Sequence, residues 1–245
     1  MKYRNELYIA MLALMLAPAI GSATTITFTG SGQNGVGEDI AASAVFTTSQ
    51  GNLHLVLTNT LAINDVNSVG QALEDITFTL SNLAGTQGTL SGSGQFGNID
   101  SSTGTVTLGA NSPITRWFGP DFSVTNNLDN TTTIHMEALG GGTPTQLLMP
   151  SIGDGGTYTP CNGCASFGNK NPFVIGPGTF DLQFSLITAD TTIVPTSVVF
   201  SFGTTPGGAE GTTPGTPIPE VPEPATLGLL GLGIAALGLR SKRVR

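Results

Sequence analysis

Positive charge is what this chain most lacks. Only eight of its 245 residues are Lys or Arg, and six of those stand in the first four or last six positions. Between residues 24 and 224 only Arg116 and Lys170 remain, against fifteen acidic residues, a formal charge of −13. Phosphate backbones need Lys and Arg to neutralise them, so nucleic acid is excluded as a partner. Acidity without lysine keeps a protein soluble and unaggregated. It also leaves room for divalent cations, but no spacing marks a site. EF-hand spacing is missing, and the Asp/Asn/Gly loops at 98–100 and 153–155 are too generic for a calcium claim.

Cysteine is nearly absent too. Cys161 and Cys164 are the only two, in a Pro-Cys-Asn-Gly-Cys run. A redox pair normally sits at a strand-to-helix junction, whereas Pro, Asn, Gly and Ser surround this one. Haem attachment needs His after the second cysteine, and position 165 is Ala. A structural zinc site needs two further ligands, and both histidines are far away in sequence. The leading expectation is a local disulfide clamping a turn, with free or intermolecular thiols and a redox or metal role as the alternatives. A loop that small adds only modest entropic stabilisation.

Catalytic signatures are also missing. The chain has no Gly-x-Ser-x-Gly elbow, no His-Glu-x-x-His and no phosphate-binding glycine loop. No cofactor is implied. His54 lies opposite the leucine face of 53, 55 and 57, and His135 sits between Ile134 and Met136, so both are expected to face solvent. Glu38-Asp39 and Glu74-Asp75 are adjacent pairs at strand starts. Neighbours on a strand point to opposite faces, which makes them poor acid/base partners and suggests solvated strand ends. Trp117 is the single tryptophan. It reads first as a core residue and second, beside Arg116, as a possible ligand contact stacking on a sugar ring.

Helix formers are sparse outside the ends, and Gly, Thr, Ser and Asn are plentiful. Such a composition favours strands joined by tight turns. Period-two alternation marks strands at 25–29, 40–48, 53–57, 76–80, 105–108, 122–124, 132–136, 173–175, 180–186 and 198–202. A Gly/Ser-rich stretch at 86–96 reads as edge strands or a bulged hairpin. Short helical turns are expected near 62–73 and 146–149. The fold class predicted is all-β, an antiparallel β-sandwich of the jelly-roll or Ig-like kind, with a β-barrel or solenoid as second choice. No fixed-period repeat supports a solenoid. Residues 203–220 (GTTPGGAEGTTPGTPIPE) read as a Pro/Gly/Thr linker too poor in apolar area to fold.

The two ends differ in kind. Lys2 and Arg4 precede a ten-residue apolar run at 7–16, then Pro18 and the small residues 21–23. That is the pattern of a cleaved secretory signal peptide over residues 1–23, with cleavage expected after Ala23 and Ala19 as the second position. At the other end, Pro222, Glu223 and Pro224 are followed by fifteen uncharged residues at 225–239 and then by Arg240, Lys242, Arg243 and Arg245. As a helix the uncharged run covers about 22 Å, short of a hydrocarbon core of about 30 Å. Snorkelling of Arg240 and Lys242 makes up part of the difference. The basic cluster stays cytoplasmic by the positive-inside rule, which suits a temporary stop-transfer helix.

Pro222-Glu223-Pro224, the Gly/Ala/Leu-rich helix and the terminal basic cluster, in that order over residues 221–245, resemble the PEP-CTERM sorting signal. The resemblance implies export by a Gram-negative bacterium that makes exopolysaccharide. It also implies recognition of Pro222, Glu223 and Pro224 by an exosortase, a membrane-embedded enzyme acting on the tail. The expected partners are signal peptidase, exosortase, the membrane before processing, and exopolysaccharide or other matrix components. The expected function is that of a non-enzymatic protein of the cell surface or extracellular matrix, whose exported domain spans residues 24–202. A carbohydrate-binding module using Trp117 is the alternative, and a secreted hydrolase the third reading.

Overall fold

The computed structural model describes residues 23–139, 144–158, 164–204 and 211–219. Thirteen strands form among them: β1 Thr24–Gln33, β2 Asp39–Ser49, β3 Asn52–Asn59, β4 Leu73–Leu80, β5 Gln87–Ile99, β6 Val106–Pro113, β7 Ser123–Asn126, β8 Thr132–Glu137, β9 Leu148–Met149, β10 Phe173–Phe184, β11 Val199–Phe202, β12 Gly211–Pro214 and β13 Thr216–Ile218. The all-β expectation holds. Alternation is clean where the sequence alternates: Leu53, Leu55 and Leu57 of β3 are buried, as are Ile76, Phe78 and Leu80 of β4 and Phe180, Leu182 and Phe184 of β10.

The strands make one hydrogen-bonded path, β12-β11-β4-β9-β10-β3-β2-β1-β13, with β8 and β7 branching from β4, and β5 and β6 from β10. Every pairing is antiparallel except that of β9 with β10. Two arms result. One is β11-β4-β8-β7; the other is β1-β2-β3-β10-β5-β6. Side chains of the two arms meet in an aromatic core, in which the Phe46 ring of β2 lies 4.8 Å from that of Phe78 of β4, and Phe46 also meets Phe28 edge-on. At one side the arms are bridged by two-residue β9, which touches β4 through Leu73–Leu148.

At the other side they are bridged by the segment read as a linker. β12 pairs with β11 and β13 pairs with β1, so a single bent run at 211–218 joins the two ends of the path. This corrects the expected end of the domain at residue 202. An edge strand is held by backbone hydrogen bonds and needs few apolar side chains, and proline is tolerated there because one edge has no partner to donate to. Close approach is what it does need. A Cβ at Gly30 would come within 2.9 Å of the Phe200 ring and of the Pro214 carbonyl, so only glycine lets β1 pass this near to β12. Thr213 Oγ1 adds a bond to the Ser31 carbonyl at 3.0 Å.

Two smaller expectations also change. Short 3-10 turns do form at Ile63–Asp65 and Val69–Gln71, but 146–149 holds no helical turn. Gln146 has φ of 63° and the chain runs straight into β9. The Gly/Ser-rich stretch is β5, which lies between β10 and β6 and carries register shifts against both.

Candidate functional site

The opposite face of β4, away from the aromatic core, carries the densest group of titratable side chains. The β4–β8 register sets Asp75 opposite Glu137 and Thr77 opposite His135. Residues two apart on a strand share a face, so Asp75, His135 and Glu137 converge. His135 Nε2 lies 2.5 Å from Asp75 Oδ2 and 3.9 Å from Glu137 Oε2. One donor atom from each of the three residues lies within 4.8 Å of the others, which makes them the group among the described residues able to hold a metal ion.

Burial sets the electrostatics. The side chains of Asp75 and Glu137 are each 4% exposed and that of His135 is 28% exposed. The hydrogen bond to Asp75 holds the His135 imidazole above its ordinary range, with burial opposing and the negative charges of Asp75 and Glu137 and the Asp121 backbone adding. Burial first, and then the charge of Asp75, pushes the Glu137 carboxyl up, with His135 opposing. Two expectations are corrected. Asp75 and Glu74 are buried rather than solvated strand ends, because β4 is flanked by β11 on one side and β8 on the other. His135 is half-buried rather than facing solvent, because β7 and the loop at Asp121 flank it. Glu137 escaped the sequence reading. The signal that would have found it is His135-x-Glu137 on a strand, two polar ligating residues at the spacing of one face.

The other candidates are scattered. His54 does reach the surface, where Nδ1 lies 2.8 Å from Asp181 Oδ1 across β3 and β10. Glu38 accepts hydrogen bonds from Asn34 Nδ2 at 2.8 Å and Ser68 Oγ at 2.7 Å, beside a cavity of about 560 Å³ that Val36 and Val69 also line. Asp39 stays exposed. Trp117 is fully buried, packs 5.4 Å from the Phe180 ring and donates its indole N–H to the Gln146 carbonyl at 2.9 Å. It is a core residue, which removes it as a sugar-stacking contact. Its 3-10 turn is pinned by Gln146 Oε1, which accepts from the backbone N–H groups of Thr115 and Arg116, both at 2.9 Å.

The expected Cys161–Cys164 bridge involves Cys161, which lies outside the described residues, while Cys164 opens a 3-10 turn. Pro222, Glu223, Pro224, the helix at 225–239, the basic cluster of Arg240, Lys242, Arg243 and Arg245, and the signal peptide through residue 22 also lie outside them. Among the described residues no helix is long and apolar enough to cross a membrane.

No curated protein matches this sequence and no solved structure matches its fold. Residues 220–243, however, match the family model of the PEP-CTERM protein-sorting motif. That interval contains the Pro-Glu-Pro triplet, the apolar run and most of the basic cluster. The chain is therefore a PEP-CTERM domain-containing protein, its sorting motif following directly on a β-sheet domain.

Proposed function

We propose that this protein is an exported, non-enzymatic component of the cell surface or extracellular matrix of a Gram-negative bacterium. It would be held briefly in the inner membrane by residues 225–239 and released by an exosortase acting at Pro222, Glu223 and Pro224. Signal peptidase would remove residues 1–23 beforehand. The observation that carries the reading is the sorting motif at 220–243. The acidic, lysine-poor domain between the two ends supports it, since such a surface stays dispersed outside the cell. Exopolysaccharide or other matrix components are the proposed partners, on the strength of the resemblance. We also class the fold as a sandwich, supported by the Phe46–Phe78 contact between its arms.

Fractionation tests this. The native chain, a chain ending at residue 219 and a Glu223→Ala variant are expressed in the native host. The native chain is expected at the cell surface or in the medium as a shortened species. The truncated chain is expected to be exported but never anchored, and Glu223→Ala to accumulate uncut in the inner membrane. Identical distributions for all three would refute the proposal.

A further inference from the structure

We propose that Asp75, His135 and Glu137 form a binding site for one divalent transition-metal ion of the zinc class, held between β4 and β8. Two observations carry this. The first is geometry. Zinc–nitrogen and zinc–oxygen bonds of about 2.0–2.2 Å place ligand atoms about 3.3 Å apart in a tetrahedral site. The His135–Glu137 separation of 3.9 Å lies above that spacing and the His135–Asp75 contact of 2.5 Å below it, with all three ligand atoms within 4.8 Å of one another, so modest rotation of the two carboxylates would bring the set onto one ion.

The second observation is unmet hydrogen-bonding capacity. Glu137 is more than nine-tenths buried, yet its Oε1 has no hydrogen-bond partner, and the same is true of Asp75 Oδ1. A buried carboxylate oxygen left this way is costly. One protonated imidazole balances only one of the two carboxylates, whereas a divalent cation balances both and gives their oxygens a ligand to bind. The donor set decides the class of ion. Calcium and magnesium take oxygen ligands, so an imidazole argues against them, while a histidine with carboxylates suits zinc and its first-row neighbours. Bound there, the ion ties β4 to β8 through three protein ligands and keeps its fourth position open for water or another small ligand.

The test uses the purified full chain with its cysteines oxidised, stripped by chelator and titrated with Zn²⁺. Because the chain has two histidines, ring-nitrogen NMR separates the sites without any mutation. At one equivalent of Zn²⁺ the His135 nitrogens are expected to shift while those of His54 do not. In calorimetry, Glu137→Gln and Asp75→Asn are expected to bind at least tenfold more weakly than the native chain, and His54→Gln to bind equally well. Zinc that shifts neither ring, or only that of His54, overturns the site. So does unchanged affinity in the folded Glu137→Gln variant. Should that variant fail to fold, the NMR result on the native chain decides.

Discussion

Replacing Trp117 with Ala separates a core tryptophan from a ligand-binding one. The side chain is fully buried, meets the Phe180 ring at 5.4 Å and satisfies the Gln146 carbonyl through its indole N–H. Removing a buried aromatic of this size costs about 3–5 kcal/mol through lost burial and the cavity left behind. Set against a typical total of about 5–15 kcal/mol, that is a large share of the stability. With a urea slope of about 1–3 kcal/mol per molar, the midpoint should fall by about 1–5 M. Trp117→Phe keeps the ring contact but leaves the Gln146 carbonyl without its donor, so it should cost less, about 1–3 kcal/mol. Far-UV circular dichroism in urea gives all three curves, since fluorescence would vanish with the only tryptophan. A Trp117→Ala protein within about 0.5 kcal/mol of the native chain would refute the burial argument and restore the surface reading.

Three further outcomes follow from the structure. Gly30→Val drives a branched side chain into Phe200 and the Pro214 carbonyl, so it should cost about 1–3 kcal/mol. Hydrogen exchange should then quicken at Gly215, whose amide donates to the Val198 carbonyl at the same seam. Gln71→Leu removes a buried amide that donates to the Asp39 and Asp65 carbonyls and accepts from Asn67 and Ser68. It should destabilise the domain by about 2–4 kcal/mol in the same urea assay, because several of those groups are left unpaired. Asp100 is exposed, but side-chain and backbone bonds from Ser102 and Thr103 hold its carboxyl down to about 2. A depressed folded pKa means its stabilising effect is present above the ordinary Asp range and is lost as pH falls through about 2. Carboxyl NMR should show this, and an Asp100 titrating near 3.8 would contradict it.

Local alternation was legible and long-range register was not. The leucine face of β3 and the inward set Ile76, Phe78 and Leu80 can be read from the chain, because period two is a local property. The convergence of Asp75 on His135 and Glu137 cannot, since it depends on how β4 meets a strand sixty residues later and on the irregular pairing with β11. Composition misled at 211–218, where glycine, proline and threonine suggested a spacer. Backbone pairing with β1 and β11 made an edge strand of it, with Gly30 supplying the necessary room. The sorting motif was legible because its triplet, apolar run and basic cluster follow one another without interruption along the chain.

The most direct measurement is the intact mass of the protein recovered from the native host's surface or medium. A mature species beginning at residue 24 and ending upstream of the terminal basic cluster is the expected result. A full-length chain in the cytoplasm, carrying both apolar ends, would contradict it.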